Sequence, residues 1–132
     1  MSAEMYWLSL TLAATSLFWA PYVLNRMAVR GLIGTVRNPS IDDVPLAEWA
    51  QRAQKAHANA AENLVVFAPA VLAIQLLGRG DSLTTTACAL YFYSRVAHYV
   101  VYTLGIPWLR TLAFFGGWFG IAMLVARLLG VL

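Results

Sequence analysis

Charged residues are scarce in this chain of 132 residues, of which 11% are charged and 61% are hydrophobic. Soluble domains typically contain about 25% charged and about 45–50% apolar residues. A domain of this size has too much surface to cover with so few polar side chains, which excludes a water-soluble globule. The high apolar content also excludes a disordered chain. These shortages leave an integral membrane protein.

Cysteine and histidine are also rare, and their scarcity excludes several kinds of chemistry. Cys88 is the only cysteine, so the chain forms no internal disulfide and offers no cysteine cluster to a metal. His57 and His98 are the only histidines, and neither has a histidine or cysteine one helical turn away, so we predict no metal site. The net charge of +3 comes without a basic stripe, so we expect no nucleic-acid binding.

Four apolar stretches are long enough to cross a bilayer, which takes about 20 residues per helix. We predict spans at about residues 6–24, 56–77, 82–104 and 108–129, within a single domain that covers residues 1–132. No lysine or arginine precedes the first stretch, and Glu4 stands there instead, so we interpret it as a retained helix rather than a signal peptide. A polar loop is predicted from Arg26 to about Pro45, and the second span is predicted to begin as a polar helix near Leu46. Short connections favour antiparallel neighbours, so we expect an all-α, four-helix membrane bundle.

The distribution of lysine and arginine predicts the orientation of this bundle. Two of these residues, Arg79 and Arg127, lie on the side of the short second connection. Six lie on the side of the long loop: Arg26, Arg30, Arg37, Arg52, Lys55 and Arg110. We therefore expect the long loop in the cytoplasm and both termini on the opposite side.

Two sets of polar residues lie at helical spacing within the predicted spans. The set on one face of the second span is Arg52, Lys55, Asn59 and Glu62. The set on one face of the third span is Tyr91, Arg95, His98 and Tyr102. A charged residue at the centre of a bilayer costs about 2.5–3.5 kcal/mol on insertion scales, so such residues usually face a protein interior and mark function.

Both polar faces lie in the predicted cytoplasmic half of the bilayer, where Arg26 ends the first span and Arg110 begins the fourth. The excess of arginine and lysine favours a ligand with carboxylates, although a lipid headgroup also fits. Two structural alternatives stay open: Arg52 as a solvated residue at the membrane surface, and Glu62 with Arg95 as an ion pair that only joins helices. In residues 114–120, the glycines favour close helix packing, and the aromatic residues can also form the wall of a hydrophobic co-substrate site.

At these residues the sequence resembles the membrane-associated proteins in eicosanoid and glutathione metabolism, the MAPEG family, which includes microsomal glutathione transferases. One segment that carries the resemblance is residues 52–69, with a basic residue followed by Asn59 and then Glu62. The other is residues 95–102, followed by Pro107-Trp108-Leu109-Arg110. The resemblance covers the whole chain in length and helix layout. Ala58, His98 and Asn63 depart from residues that some members carry at these positions.

The resemblance implies a homotrimer in a bacterial inner membrane, with glutathione bound between protomers near the cytoplasmic leaflet. It implies an enzyme that conjugates glutathione to a hydrophobic electrophile or uses it to reduce a lipid hydroperoxide. In that role Arg110 stabilises the glutathione thiolate and Tyr102 assists. The residues implied to bind glutathione are Arg26, Arg52, Lys55, Asn59, Glu62, Arg95 and His98.

Two other functions stay open at this point. A non-catalytic membrane scaffold, or a lipid-binding accessory protein, can retain the same fold. A small four-helix exporter would use Glu62 as a proton-coupled carboxylate, but this hypothesis does not explain the cluster of arginine and lysine at one leaflet.

Overall fold

The computed structural model describes residues 1–132 as an all-helical chain without a strand. The helices are α1 (Ala3–Leu17), α2 (Ala20–Val36), α3 (Glu48–Leu76), α4 (Ser82–Leu104) and α5 (Pro107–Leu128). α1 and α2 follow each other across a short break, so the two act as one bent helical unit. The predicted all-α class is confirmed.

Three helical units are long and apolar enough to cross a membrane, namely Ala3–Val36, Glu48–Leu76 and Pro107–Leu128. α4 is of comparable length, but its most apolar stretch is less apolar than those of these three units, because α4 contains Arg95, His98 and a run of threonines. The passage of α4 across the membrane stays a prediction, as do the sidedness of the termini and the trimer.

The first unit is bent at Phe18, between α1 and α2. Pro21 has no N–H to continue the α1 hydrogen-bond pattern. The Tyr99 hydroxyl donates to the Phe18 carbonyl at 2.8 Å, and the two rings stack with centroids 4.0 Å apart. This contact joins the bend to α4 and thereby fixes the direction in which α2 leaves it.

α2 extends further than the sequence predicted. The loop expected from Arg26 is helical as far as Val36, apart from a non-helical residue at Gly31, where φ is 68°. The loop was expected because Gly31, Gly34 and Pro39 disfavour helix, but α2 continues past both glycines and ends only where Asn38 precedes Pro39. The loop therefore begins at Arg37 rather than at Arg26.

The later helix bounds lie close to those expected. α3 begins at Glu48, ahead of the span expected from residue 56, which agrees with the predicted polar start near Leu46. α4 begins after a capping box formed by Asp81 and Thr84, and it ends at Gly105, whose φ of 78° suits glycine. Pro107 then opens α5, so α4 and α5 are joined by a tight reversal.

The core lies between α3, α4 and α5, with Leu8 of α1 packed against it. Tyr91 and Phe67 are fully buried and stack with centroids 3.7 Å apart. α5 can approach α4 closely because Gly120 has no side chain. A Cβ atom at this position would lie only 2.8 Å from the Ala87 carbonyl oxygen. The glycines of residues 114–120 therefore serve helix packing.

The connection between α2 and α3 is held by one carboxylate. Asp43 accepts from the Ser40 N–H at 3.0 Å and pairs with Arg30 at 3.2 Å and with Arg37. The backbone donor at Ser40, followed by the two guanidinium groups, holds the pKa of Asp43 below its usual range. The loop is thus tied back to the end of α2.

A second carboxylate organises the other end of the bundle. Glu4 is buried and accepts from the hydroxyls of Thr84 at 2.7 Å and Thr85 at 3.1 Å. Asp81 pairs with Arg127 at 2.7 Å, which ties the start of α4 to the end of α5. This structural role of Glu4 could not be predicted, since a single carboxylate near a terminus forms no sequence pattern.

Candidate functional site

A cavity of about 230 Å³ lies between α3, α4 and α5. Its lining residues are Asn59, His98, Tyr102, Arg110, Thr111 and Phe114. His98 and Tyr102 are one helical turn apart on α4, and the reversal at Gly105 places the first turn of α5 beside them. The chain thus brings together four of the nine predicted site residues: Asn59, His98, Tyr102 and Arg110.

Arg110 is the cation of this cavity. Its guanidinium carbon lies 4.6 Å from the centroid of the Tyr102 ring, within the range of a cation–π contact. The Tyr102 ring in turn packs edge-on against His98 at 5.5 Å. No carboxylate lines the cavity, so the charge of Arg110 has no anionic partner there.

Arg95 is buried behind the cavity rather than inside it. It is 2% exposed, and its Nη1 donates to Asn59 Oδ1 at 3.1 Å while its Nη2 donates to the Phe114 carbonyl at 3.0 Å. The guanidinium also lies 5.7 Å from the Tyr91 ring and 5.4 Å from the Phe114 ring. Three helices therefore meet at this one side chain.

The ion pair considered between Arg95 and Glu62 does not form. Glu62 is exposed on α3 and has no salt bridge, whereas Asn59, three residues earlier, faces α4. The reason is the packing of α3, whose fully buried alanines, Ala50, Ala53 and Ala56, set the face turned to the bundle. Glu62 lies outside that face.

The remaining predicted residues lie away from the cavity in the single chain. Arg52 donates from Nε to the Thr103 carbonyl at 3.0 Å, so it caps the C-terminal turn of α4. Lys55 is exposed on α3 and makes no hydrogen bond or ion pair within the chain. Arg26 is half-buried on α2, and its Nε is buried without an acceptor.

Thr111 lines the cavity and was not predicted from the sequence. Phe114 also lines it, in agreement with the alternative that the aromatic residues of 114–120 form a wall of the site, and its spacing of four residues from Arg110 places both on one face of α5. Outside the cavity, Tyr22 and His57 form a hydrogen bond of 2.9 Å between α2 and α3. No local sequence pattern predicts this pair, because Tyr22 and His57 are 35 residues apart.

A larger depression of about 420 Å³ lies at the opposite end of the bundle. It is lined by Glu4, Asp81 and small or neutral residues, and it contains none of the predicted site residues. Its carboxylates are already bonded to the Thr84 hydroxyl and to Arg127. The smaller cavity is therefore the candidate functional site.

An all-α bundle with three apolar spans defines a multi-pass integral membrane protein, and it holds a cavity that contains the cation Arg110. Comparison with known families identifies it further, since the model of the MAPEG family matches residues 5–130. The chain belongs to the MAPEG family. No similar curated protein and no similar solved structure was found.

Proposed function

We propose that this protein is a glutathione-dependent membrane enzyme that conjugates glutathione to a hydrophobic electrophile or reduces a lipid hydroperoxide with it. The observation that carries the proposal is Arg110, a cation held over the Tyr102 ring in a cavity without a carboxylate. Membership of the MAPEG family supports the choice of glutathione, because the family includes glutathione transferases and peroxidases.

The proposed chemistry follows from the charge of the cavity. A free thiol has a pKa of about 8.5 and is mostly protonated at neutral pH. A guanidinium beside it favours the thiolate, which is the nucleophile. In conjugation, the thiolate sulfur bonds to the electrophilic carbon while a leaving group departs with its electron pair, or while the electrons of an activated double bond move to the neighbouring carbon, which then takes a proton. With a hydroperoxide, the sulfur bonds to the terminal oxygen as the O–O bond breaks, and the alkoxide takes a proton and leaves as the alcohol. The glutathione sulfenic acid then reacts with a second glutathione to give the disulfide and water. Arg110 stabilises the thiolate, Tyr102 supports Arg110, and Asn59 and His98 contact the ligand.

The remaining predicted residues fit a site completed by a second copy of the chain. Lys55 and Glu62 carry opposite charges along the exposed side of α3, and neither has a partner within the chain. Charged groups in lipid need partners. We propose that a homotrimer supplies them, so that Lys55, Glu62, Arg26 and Arg52 act on glutathione from between protomers.

The test of this function is the ultraviolet absorbance of the glutathione thiolate in the detergent-purified protein. Hydrogen bonds to charged groups contribute about 1.5–3 kcal/mol, so Arg110→Ala should lower the ratio of thiolate to thiol in bound glutathione by about 10- to 150-fold. Arg79→Ala is the matched control, because this arginine contacts the Leu128 carbonyl at the opposite end of the bundle. A folded wild-type protein that neither binds glutathione nor shows the thiolate would contradict the proposal and leave a non-catalytic scaffold as the explanation.

The exporter hypothesis has less support. It requires a carboxylate in a polar cavity, whereas Glu62 is exposed and lines no cavity of the chain.

A further inference from the structure

We propose that Arg95 is a positioning residue that fixes the Asn59 side-chain amide so that its NH₂ group donates into the cavity. The cavity would then select a ligand with an oxygen acceptor, either a carboxylate or a carbonyl, opposite Asn59. This role differs from the direct contact with glutathione that the family resemblance implied for Arg95. It rests on the proposed function for the identity of the ligand.

The contacts of Asn59 determine the orientation of its side-chain amide. A guanidinium carries donors and no acceptor, so the atom of Asn59 that faces Arg95 must be the amide oxygen. A second donor, Asn63 Nδ2, lies 3.5 Å from the same oxygen. If the amide were reversed, its NH₂ group would face the donor groups of both Arg95 and Asn63. Asn59 is therefore held in one orientation.

This orientation leaves the NH₂ group of Asn59 free to donate to a ligand. The NH₂ group of Asn59 has no acceptor within the chain, and Asn59 lines the cavity. An amide donor beside the cation Arg110 suits an oxygen acceptor and disfavours a cationic group.

Gly117 provides the space that the Arg95 guanidinium occupies. A Cβ atom at Gly117 would lie 2.5 Å from Arg95 Nη2 and 2.6 Å from Nε, so the absence of a side chain at Gly117 makes room for the guanidinium. The adjacent Gly116 makes room for Ser94 in the same way, with a distance of 2.5 Å to its hydroxyl. These two glycines offer a matched pair of substitutions, because only Gly117 faces the guanidinium.

The decisive experiment measures glutathione affinity in a double-mutant cycle with Arg95→Met and Asn59→Leu. We expect each single substitution to weaken binding by about 10-fold or more, as the loss of a donor to a charged acceptor does. If Arg95 acts through Asn59, the double variant should bind no more weakly than Asn59→Leu alone. Additive losses would show that Arg95 acts on the ligand independently and would overturn the proposal.

A second comparison separates positioning from folding. Asn59→Asp keeps an acceptor for Arg95 but replaces the NH₂ donor by a second acceptor. We expect its thermal midpoint to equal or exceed that of the wild type, with glutathione affinity reduced at least as far as in Asn59→Leu. Wild-type affinity in Asn59→Asp would overturn the proposed donor role. Gly117→Ala should also weaken binding by displacing Arg95, whereas Gly116→Ala should leave it unchanged.

The positioning role can be tested even if glutathione does not bind and the proposed function fails. The chain has only four asparagines, so selective ¹⁵N-asparagine labelling resolves the Asn59 amide by NMR. We expect its two amide proton resonances to shift in Gly117→Ala and in Arg95→Met, but not in Gly116→Ala. Unchanged Asn59 resonances in Arg95→Met would show that Arg95 does not orient the amide.

Discussion

The contact of Arg110 with Tyr102 separates two roles that the tyrosine can have. The guanidinium lies over the ring at 4.6 Å, and the Tyr102 hydroxyl makes no hydrogen bond within the chain. The ring therefore supports the cation, and Tyr102→Phe, which retains the ring, should leave Arg110 in place. Tyr102→Leu removes the ring and should release it.

The magnitude follows from the strength of a cation–π contact, about 0.5–1 kcal/mol at exposed sites and about 2 kcal/mol when desolvated. Since 1.36 kcal/mol corresponds to one pKa unit, the ratio of thiolate to thiol in bound glutathione should fall by about 2- to 30-fold in Tyr102→Leu. We expect less than a two-fold change in Tyr102→Phe, on the same scale.

The assay is the thiolate absorbance at saturating glutathione, recorded across pH to obtain the apparent pKa of the bound thiol. Near-ultraviolet circular dichroism controls for folding in both variants. If Tyr102→Phe raises the apparent pKa as much as Tyr102→Leu does, the hydroxyl rather than the ring supports the thiolate. The interpretation of the stacked geometry would then be wrong.

Two further predictions concern the stability of the bundle. The Thr84 N–H and Arg127 hold the pKa of Asp81 below its usual 3.8, so its contribution to stability is present above that pH and is lost as the pH falls through the lower folded-state value. The difference in thermal midpoint between the wild type and Asp81→Asn should accordingly shrink on acidification below about pH 4, and a constant difference would refute this. Gly120→Ala would place a Cβ atom 2.8 Å from the Ala87 carbonyl. Because the obstacle is backbone, we expect the upper part of the about 1–3 kcal/mol range for overpacking, which outweighs the gain of about 1 kcal/mol in helix propensity and lowers the unfolding midpoint.

The sequence predicted those parts of the site that depend on a single helix or on the short reversal between two consecutive helices. His98 and Tyr102 share a face because they are one turn apart, and Arg110 joins them because the reversal at Gly105 is short. Prediction was less successful where rotation between helices decides the contact. Asn59 and Glu62 belong to one polar face, but only Asn59 meets Arg95.

The rotation and spacing of the helices are determined by small uncharged residues. The buried alanines of α3 set the rotation of that helix, and Gly117 sets how closely α5 approaches Arg95. Both features are visible in the sequence as small residues that permit close packing. The residues that pack against them cannot be predicted in this way, because helical periodicity indicates which residues share a face but not which helix that face contacts.

The placement of the few charges supports the proposal that the cavity binds an anion. Ion pairs are confined to the ends of the bundle and to the loop, where Asp43, Asp81 and Glu48 pair with arginines. Between the helices, Arg95 and Arg110 are held by an amide, a carbonyl and aromatic rings, which orient a guanidinium without cancelling its charge. A carboxylate in their place would neutralise the site and leave a ligand thiolate without a cation. Because the partners are neutral, the positive charge is retained, as the proposed binding of a thiolate at this site requires.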